Sequence, residues 1–251
     1  MAAIVDLQPS RSPSRPRARA ALLLFLCLAL AGAAACGDSA TGSSGGQAPP
    51  TAAPATPTAA PTAAPNPCHG AAAGSPSTAH FNAEPPLSID THGSYTAVLS
   101  TNCGAITLAL LGAQAPHTVN SFVFLAGQKY FDHSPCHRLT TAGIFVLQCG
   151  DPTGTGTGGP GYTIPDENLN GATYPAGTVA MANTGQPHTG GSQFFLVYRD
   201  TQLPPSYTPF ARVTDGLPLL QQIAALGTAR GGPDGPPRAG VTIDTATVNK
   251  A

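Results

Sequence analysis

The sequence predicts a mainly β domain: an antiparallel barrel closed on itself and capped by two helices. Three observations predict it. Short runs of alternating apolar and polar residues recur at hairpin-like spacing from Tyr95 to Val248. Only two stretches, one opening at Pro116 and one near Leu217 to Leu226, carry an apolar stripe of helical period. Strands and helices do not alternate as a parallel sheet would require, so hairpins closing into a barrel are the economical solution.

The chain begins with a different kind of segment. Arg11, Arg15, Arg17 and Arg19 precede an apolar run, Ala20 to Leu30, and the small residues Ala33, Ala34 and Ala35 follow it. A run this short has the length of an export-signal core and falls below the about 20 residues of a membrane span. Cys36 comes directly after the small residues and is followed by Gly-Asp-Ser, which resembles the lipidated cysteine of a bacterial lipoprotein; Ala33 stands where the usual motif has Leu. Residues 1–36 are thus expected to be a cleaved signal with lipidation at Cys36, ordinary secretion being the alternative. The expected location is the outer face of the cytoplasmic membrane, with a lipid anchor. Residues 37–88 are read as a disordered linker, because Pro, Ala, Thr, Gly and Ser cannot bury enough apolar surface to offset the entropy of ordering.

Periodic structure starts near Ser94. Tyr95, Ala97 and Leu99 alternate with Thr96, Val98 and Ser100; Asn102-Cys103-Gly104 turns the chain; Ile106, Leu108 and Leu110 alternate on the return. That is a hairpin with one buried face. Pro116 at a first helical turn opens a helix whose stripe is Val119, Phe122, Val123 and Leu125, and Gly127 stops it. Further strands are expected around His137–Leu139, Phe145–Cys149, Thr178–Asn183, Gln193–Tyr198, Phe210–Val213 and Val241–Val248, with Gly227 ending the second helix.

Charge limits the function classes. Net charge is −1, so there is no basic face for a nucleic-acid backbone. Only 9% of residues are charged, so a charge inside a motif stands out. Cys27 lies in the signal core; apart from it and Cys36, four cysteines remain, Cys68, Cys103, Cys136 and Cys149. In an oxidising compartment they suggest two disulfides, for which three pairings exist.

Three stretches carry chemistry. They are His137-Arg138-Leu139 followed by Phe145-Val146-Leu147-Gln148-Cys149-Gly150-Asp151; Gly177 to Asn183 (GTVAMAN); and Gly190-Gly191-Ser192-Gln193-Phe194-Phe195. In order and spacing they resemble the signature of the cyclophilins: His-Arg, Phe-x-x-Gln, a small-residue strand ending Ala-Asn, and Gly-Ser-Gln-Phe-Phe. The resemblance implies an eight-stranded barrel for residues 89–251 and peptidyl-prolyl cis/trans isomerase activity on Xaa-Pro segments of unfolded or exported proteins. A monomer fits that substrate class.

The chemistry explains the residue types. An Xaa-Pro bond turns slowly because amide resonance must be broken, a barrier of about 18–20 kcal/mol. A catalyst needs an apolar seat for the prolyl ring and a donor aimed at the prolyl nitrogen, whose lone pair is released in the twisted state. No cofactor and no metal are required. Arg138 is the expected donor, with Gln148 holding it or the substrate carbonyl. Phe145, Val146, Phe195 and Leu203 are expected to seat the ring, with Ala182, Asn183, Gln193 and Tyr207 along the peptide. His137 is read as structural. Gln202 stands where the family usually has tryptophan, and Tyr207 where it often has histidine; without the tryptophan, high affinity for cyclosporin-class ligands does not follow from the resemblance. The segment between Arg138 and Phe145 is two residues longer than the common pattern.

Cys136 and Cys149 bracket the hairpin bearing Arg138 and Gln148, so a cross-strand bridge would hold it in register; Cys68 would then join Cys103. Four free thiols are the alternative. Two patterns point elsewhere and are set aside. Gly154 to Gly159 (GTGTGG) fits G-x-G-x-x-G, but Pro160-Gly161 follows it, so no helix receives a phosphate. His133, Cys136 and His137 cluster without a second ligand group. The rival reading is a proline-peptide binding module without turnover.

Overall fold

The computed structural model describes residues 65–251. The expected signal segment, Cys36 and the linker up to residue 64 lie outside the described residues. The elements run β1 Tyr95–Thr101, β2 Gly104–Leu110, α1 Pro116–Gly127, β3 Ser134–Pro135, β4 Arg138–Thr140, β5 Val146–Cys149, β6 Thr178–Met181, β7 Phe194–Val197, β8 Pro209–Asp215, α2 Leu217–Ala225, β9 Asp234–Gly235 and β10 Thr242–Lys250. No helix among them is long and apolar enough to cross a membrane.

All strands join one antiparallel sheet in the order β3-β10-β1-β2-β8-β6-β7-β5-β4-β9. β3 and β4 stand at nearly opposite ends of this order, yet only Cys136 and His137 separate them in the chain. The sheet must therefore curl until both ends flank one short run. Among the described residues no ladder joins β3 to β4, so the sheet is curled but open, with ten strands where eight and full closure were expected. The reason is local: Pro135 has no N–H with which to extend a ladder, and β3 and β9 are too short to show any periodicity.

The two faces of the sheet bury different clusters. The main core has Phe122 of α1 at its centre, stacked on Phe131 at 5.1 Å and set at 5.6 and 5.4 Å from Phe194 and Phe210. Such contacts add about 0.5–1.5 kcal/mol each beyond area burial. Along β7, Phe194 and Leu196 point into this core, while Phe195 and Val197 join a smaller cluster with Val146, Tyr174 and Ala180 on the other face. Helix α1 has no side-chain cap of its own. Instead Glu167, from a distant loop, accepts the amides of His117 and Thr118 at 3.0 and 2.8 Å, satisfying two orphan donors of the first turn.

Residues 65–88 contain neither helix nor strand, but several contacts tie them to the domain. Cys68 is bridged to Cys103, the His69 amide donates to the Asn102 carbonyl at 2.9 Å, and Asn120 Oδ1 accepts the amides of Ser88 and Ile89. Phe81 packs edge-on to Phe124 at 5.0 Å. One disulfide, one aromatic ring and a few hydrogen bonds tie down a segment whose composition alone argues for disorder. We refer to it as the strap.

The second bridge joins Cys136 to Cys149. Beneath it lies the segment that follows β5. Asp151, 0% exposed, accepts hydrogen bonds from the Thr153 amide and hydroxyl at 2.8 and 2.7 Å and from the amides of Gly156 and Gly158 at 2.7 and 3.0 Å. Burial pushes its carboxyl pKa up, but these hydrogen bonds outweigh burial and hold it below the usual value. His137 lies against Gly156 with both ring nitrogens buried and, among the described residues, unpaired, and burial pushes its pKa down.

Two predictions follow from these contacts. The bridges span sequence separations of 35 and 13 residues, and in the chain-entropy view each contributes about 3–4 kcal/mol. Reductant should lower the urea midpoint, and hydrogen exchange at the Phe81 amide should rise once Cys68–Cys103 is open. Protection unchanged by reduction would mean that the bridge does not hold the strap. The second concerns pH. Both His137 and Asp151 have folded pKa values below their unfolded ones, so the unfolded chain binds more protons in each window. Stability from His137 should be complete above the ordinary imidazole value of about 6.5 and decline as pH falls below it, with Asp151 adding a further loss below about 4. Urea melts between pH 8 and 5 should show that slope, reduced in His137→Asn.

Candidate active site

Strand pairing brings the signature residues together. Arg138 on β4 is opposite Gln148 on β5, Gln148 is opposite Phe195 on β7, and Phe195 is opposite Ala180 on β6. Side chains at cross-strand partners share a face, so these residues lie on the side away from the main core. There they form a cavity of about 140 Å³, lined by Arg138, Ile144, Val146, Gln148, Ala182, Asn183, Phe195, Leu203 and Tyr207. An apolar cavity of roughly 150 Å³ is enough to hold benzene, so this one has room for a five-membered ring. Tyr207 closes one wall edge-on to Phe195 at 5.5 Å, and its amide is held by the Tyr174 hydroxyl at 3.1 Å.

Phe145 does not line this cavity. Alternation along the strand puts Ile144, Val146 and Gln148 on the cavity side and turns Phe145 away. Its ring packs against Tyr198 and lies under the Arg199 guanidinium, 3.4 Å from the ring centroid. Ile144 takes the place expected for it. Gln193, expected along the peptide, lines an adjoining, larger cavity of about 790 Å³, which shares Gln148, Ala182 and Asn183 with the small one.

The Arg138 guanidinium is held on two sides. Nε and Nη2 donate to the two carboxylate oxygens of Asp234 at 2.8 and 2.7 Å, and Nη1 donates to Gln148 Oε1 at 3.3 Å. Gln148 Nε2 donates to Gln193 Oε1, and Gln193 Nε2 to the Gly158 carbonyl, both at 2.9 Å. The result is a relay from Asp234 to the glycine-rich loop with Arg138 in it. The hydrogen bond to Asp234 raises the arginine pKa further, and the same bond lowers that of Asp234. With side chains 40% and 50% exposed, the pair adds at most about 1 kcal/mol of stability, so its main effect is to fix the fork. A guanidinium has five N–H groups and three are engaged here, which leaves one on each terminal nitrogen.

Sequence reading missed Asp234. It sits on β9, in the loop Gly227 to Gly240, where Gly235 pairs with Leu139 and Asp234 with Thr140. The one available signal was a carboxylate inside a Pro-Asp-Gly-Pro turn of a chain poor in charge. The glycine-rich loop, in turn, wraps its amides around Asp151: these donors already serve an anion, the protein's own. Cys136 is engaged in its disulfide, so it does not join His133 and His137 as a metal ligand.

Comparison with known proteins agrees with this arrangement. Residues 96–248 match the family model described as cyclophilin type peptidyl-prolyl cis-trans isomerase/CLD. A protein of Mycobacterium leprae named "Probable peptidyl-prolyl cis-trans isomerase B" is 51% identical over 164 residues, covering 60% of this chain and 55% of that one. This chain therefore spans about half the length of that relative. A peptidyl-prolyl cis-trans isomerase of Synechococcus elongatus is 42% identical over 120 residues, covering 47% of this chain and 80% of that protein. Among solved structures, a cyclophilin type peptidyl-prolyl cis-trans isomerase of Cryptosporidium parvum superposes with a TM-score of 0.57 at 28% identity, covering 63% of this chain and 99% of that one. A second crystal structure of that protein, determined in the presence of the dipeptide Ala-Pro, gives a TM-score of 0.56 at 28% identity over 62% of this chain and 99% of that one. From the matched motifs, the shared fold and the span of the family match, the chain belongs to the cyclophilin-type peptidyl-prolyl cis-trans isomerase family.

Proposed function

We propose that this protein accelerates cis/trans isomerisation of Xaa-Pro bonds in extended segments of other proteins, and thereby assists their folding. The observation that carries the reading is a ring-sized cavity in which Ile144, Val146, Phe195 and Leu203 stand together with a fixed guanidinium. Val146, Ile144, Phe195 and Leu203 seat the pyrrolidine ring. Arg138 donates through a free N–H to the prolyl nitrogen as it becomes pyramidal in the twisted state. That bond is stronger in the transition state than in the planar ground state, which is what catalysis requires. Gln148 and Asp234 hold the guanidinium, and Ala182 and Asn183 flank the peptide. The use of Ala-Pro with the Cryptosporidium parvum relative is consistent with so small a seat.

The cellular setting is part of the same reading. The basic, apolar and small-residue run of residues 1–36 supports export, Cys36 supports lipid anchoring outside the cytoplasm, and the Pro- and Ala-rich tract supports a spacer between anchor and domain. The two disulfides fit an oxidising compartment. The domain is expected to act as a monomer on exported chains.

Two outcomes test the mechanism. In protease-coupled assays of a short Xaa-Pro peptide, Arg138→Ala should lower kcat/KM at least about tenfold, a loss of roughly 1.4 kcal/mol of transition-state stabilisation. No acceleration by the folded wild-type chain would exclude the isomerase reading. Asp234→Asn should lower kcat by about three- to tenfold with little change in KM, since it frees the fork without altering the apolar seat. In the Arg138→Ala background the same substitution should have no further effect. Additive losses would place Asp234 outside the Arg138 unit.

A further inference from the structure

The strap lies outside the residues that match the family, 96–248, and yet it reaches the site. The Phe81 amide donates to the Pro160 carbonyl at 2.7 Å, and the Phe81 ring packs among Phe124, Tyr130 and Tyr162. This anchors the neighbouring residue, His80, on the wall of the larger cavity beside Gly161 and Tyr162. Gly161 has φ +98°, and a Cβ there would run into the His80 ring and the Phe81 carbonyl. The glycine-rich loop is thus shaped to receive the strap, and the strap in turn supplies one side of the cavity.

The rest of the lining has a definite character. Threonines 157, 163, 184 and 189, Gln193 and glycine backbone supply hydrogen-bonding groups, and among the described residues no Lys, Arg, Asp or Glu side chain lines the cavity. Asp151 lies beneath the loop with its oxygens already engaged. His80 is exposed and, among the described residues, is the one lining side chain that can carry positive charge; even when neutral, its ring presents an N–H donor.

We propose that the strap completes a second peptide subsite and that His80 makes this subsite select a substrate residue with a carboxylate side chain, Asp or Glu. This rests on the reading above that the small cavity seats the prolyl ring. Because the two cavities share Gln148, Ala182 and Asn183, a peptide with its proline in one continues into the other. Specificity is therefore set in part by a segment outside the residues that match the family.

The test uses the full chain and a set of Xaa-Pro peptides carrying Glu, Gln or Lys at one position at a time on either side of the bond. Isomerisation and equilibrium binding are both measured. At one position Glu should be preferred over Lys by about three- to fivefold, the range of a partly exposed charge contact of up to about 1 kcal/mol. The preference should vanish in His80→Ala and persist or grow in His80→Lys. An equal ratio in wild type and His80→Ala, or a parallel loss for every peptide, would overturn the proposal. Turnover without preference would remove the strap's role and leave the isomerase reading standing. A His80-dependent preference in binding without turnover would do the reverse.

Discussion

The structure depends on one short run of chain, Ser134 to Thr140. Its first two residues pair with β10 at one end of the sheet, and its last three pair with β5 and β9 at the other. Covalent continuity thus does what a closing ladder would otherwise do, and it dictates that a single sheet curls around the Phe122 core. The same run carries Arg138, and Cys136 within it is bridged to Cys149 on the adjacent strand. Curvature, register and the placement of the guanidinium are consequences of one constraint.

From that run the site follows by strand geometry and electrostatics. Alternation puts Val146 and Phe195 on the face away from the core, where they can contact solvent-borne ligands at all. A guanidinium at the edge of such a face would sample many rotamers; Asp234 and Gln148 remove that freedom. The ion pair contributes little to stability because both partners remain partly in water, so its consequence is orientation. The relay through Gln193 ties the guanidinium to the glycine-rich loop, whose own shape is set by the buried Asp151 carboxylate.

The strap enlarges the meaning of the domain. Its sequence has few apolar residues, but Phe81 reaches an aromatic group on α1 and the following loops, and Cys68 reaches the first hairpin. A handful of specific ties outweigh composition when each closes on an already ordered surface. The larger cavity is bounded jointly by the strap and the loop that receives it.

The sequence by itself determined the character of the elements. Alternation in Tyr95–Thr101 and Gly104–Leu110 reads directly as a hairpin, Pro116 and Gly127 bound a helix, and the three motifs bring Arg138, Gln148, Val146, Asn183 and Phe195 into one site, because local period and short-range order are written in neighbouring residues. Tertiary structure alone decided the rest. Whether Phe145 or Ile144 faces the cavity turns on strand phase, which a lengthened approach to β5 leaves open. Asp234 meets Arg138 across 96 residues of chain, and Glu167 caps α1 across 50. β3 and β9 are too short to have a period, and residues 65–88 are ordered by partners they do not resemble. Contacts of this kind depend on where the curled sheet puts distant loops, and no local pattern encodes that.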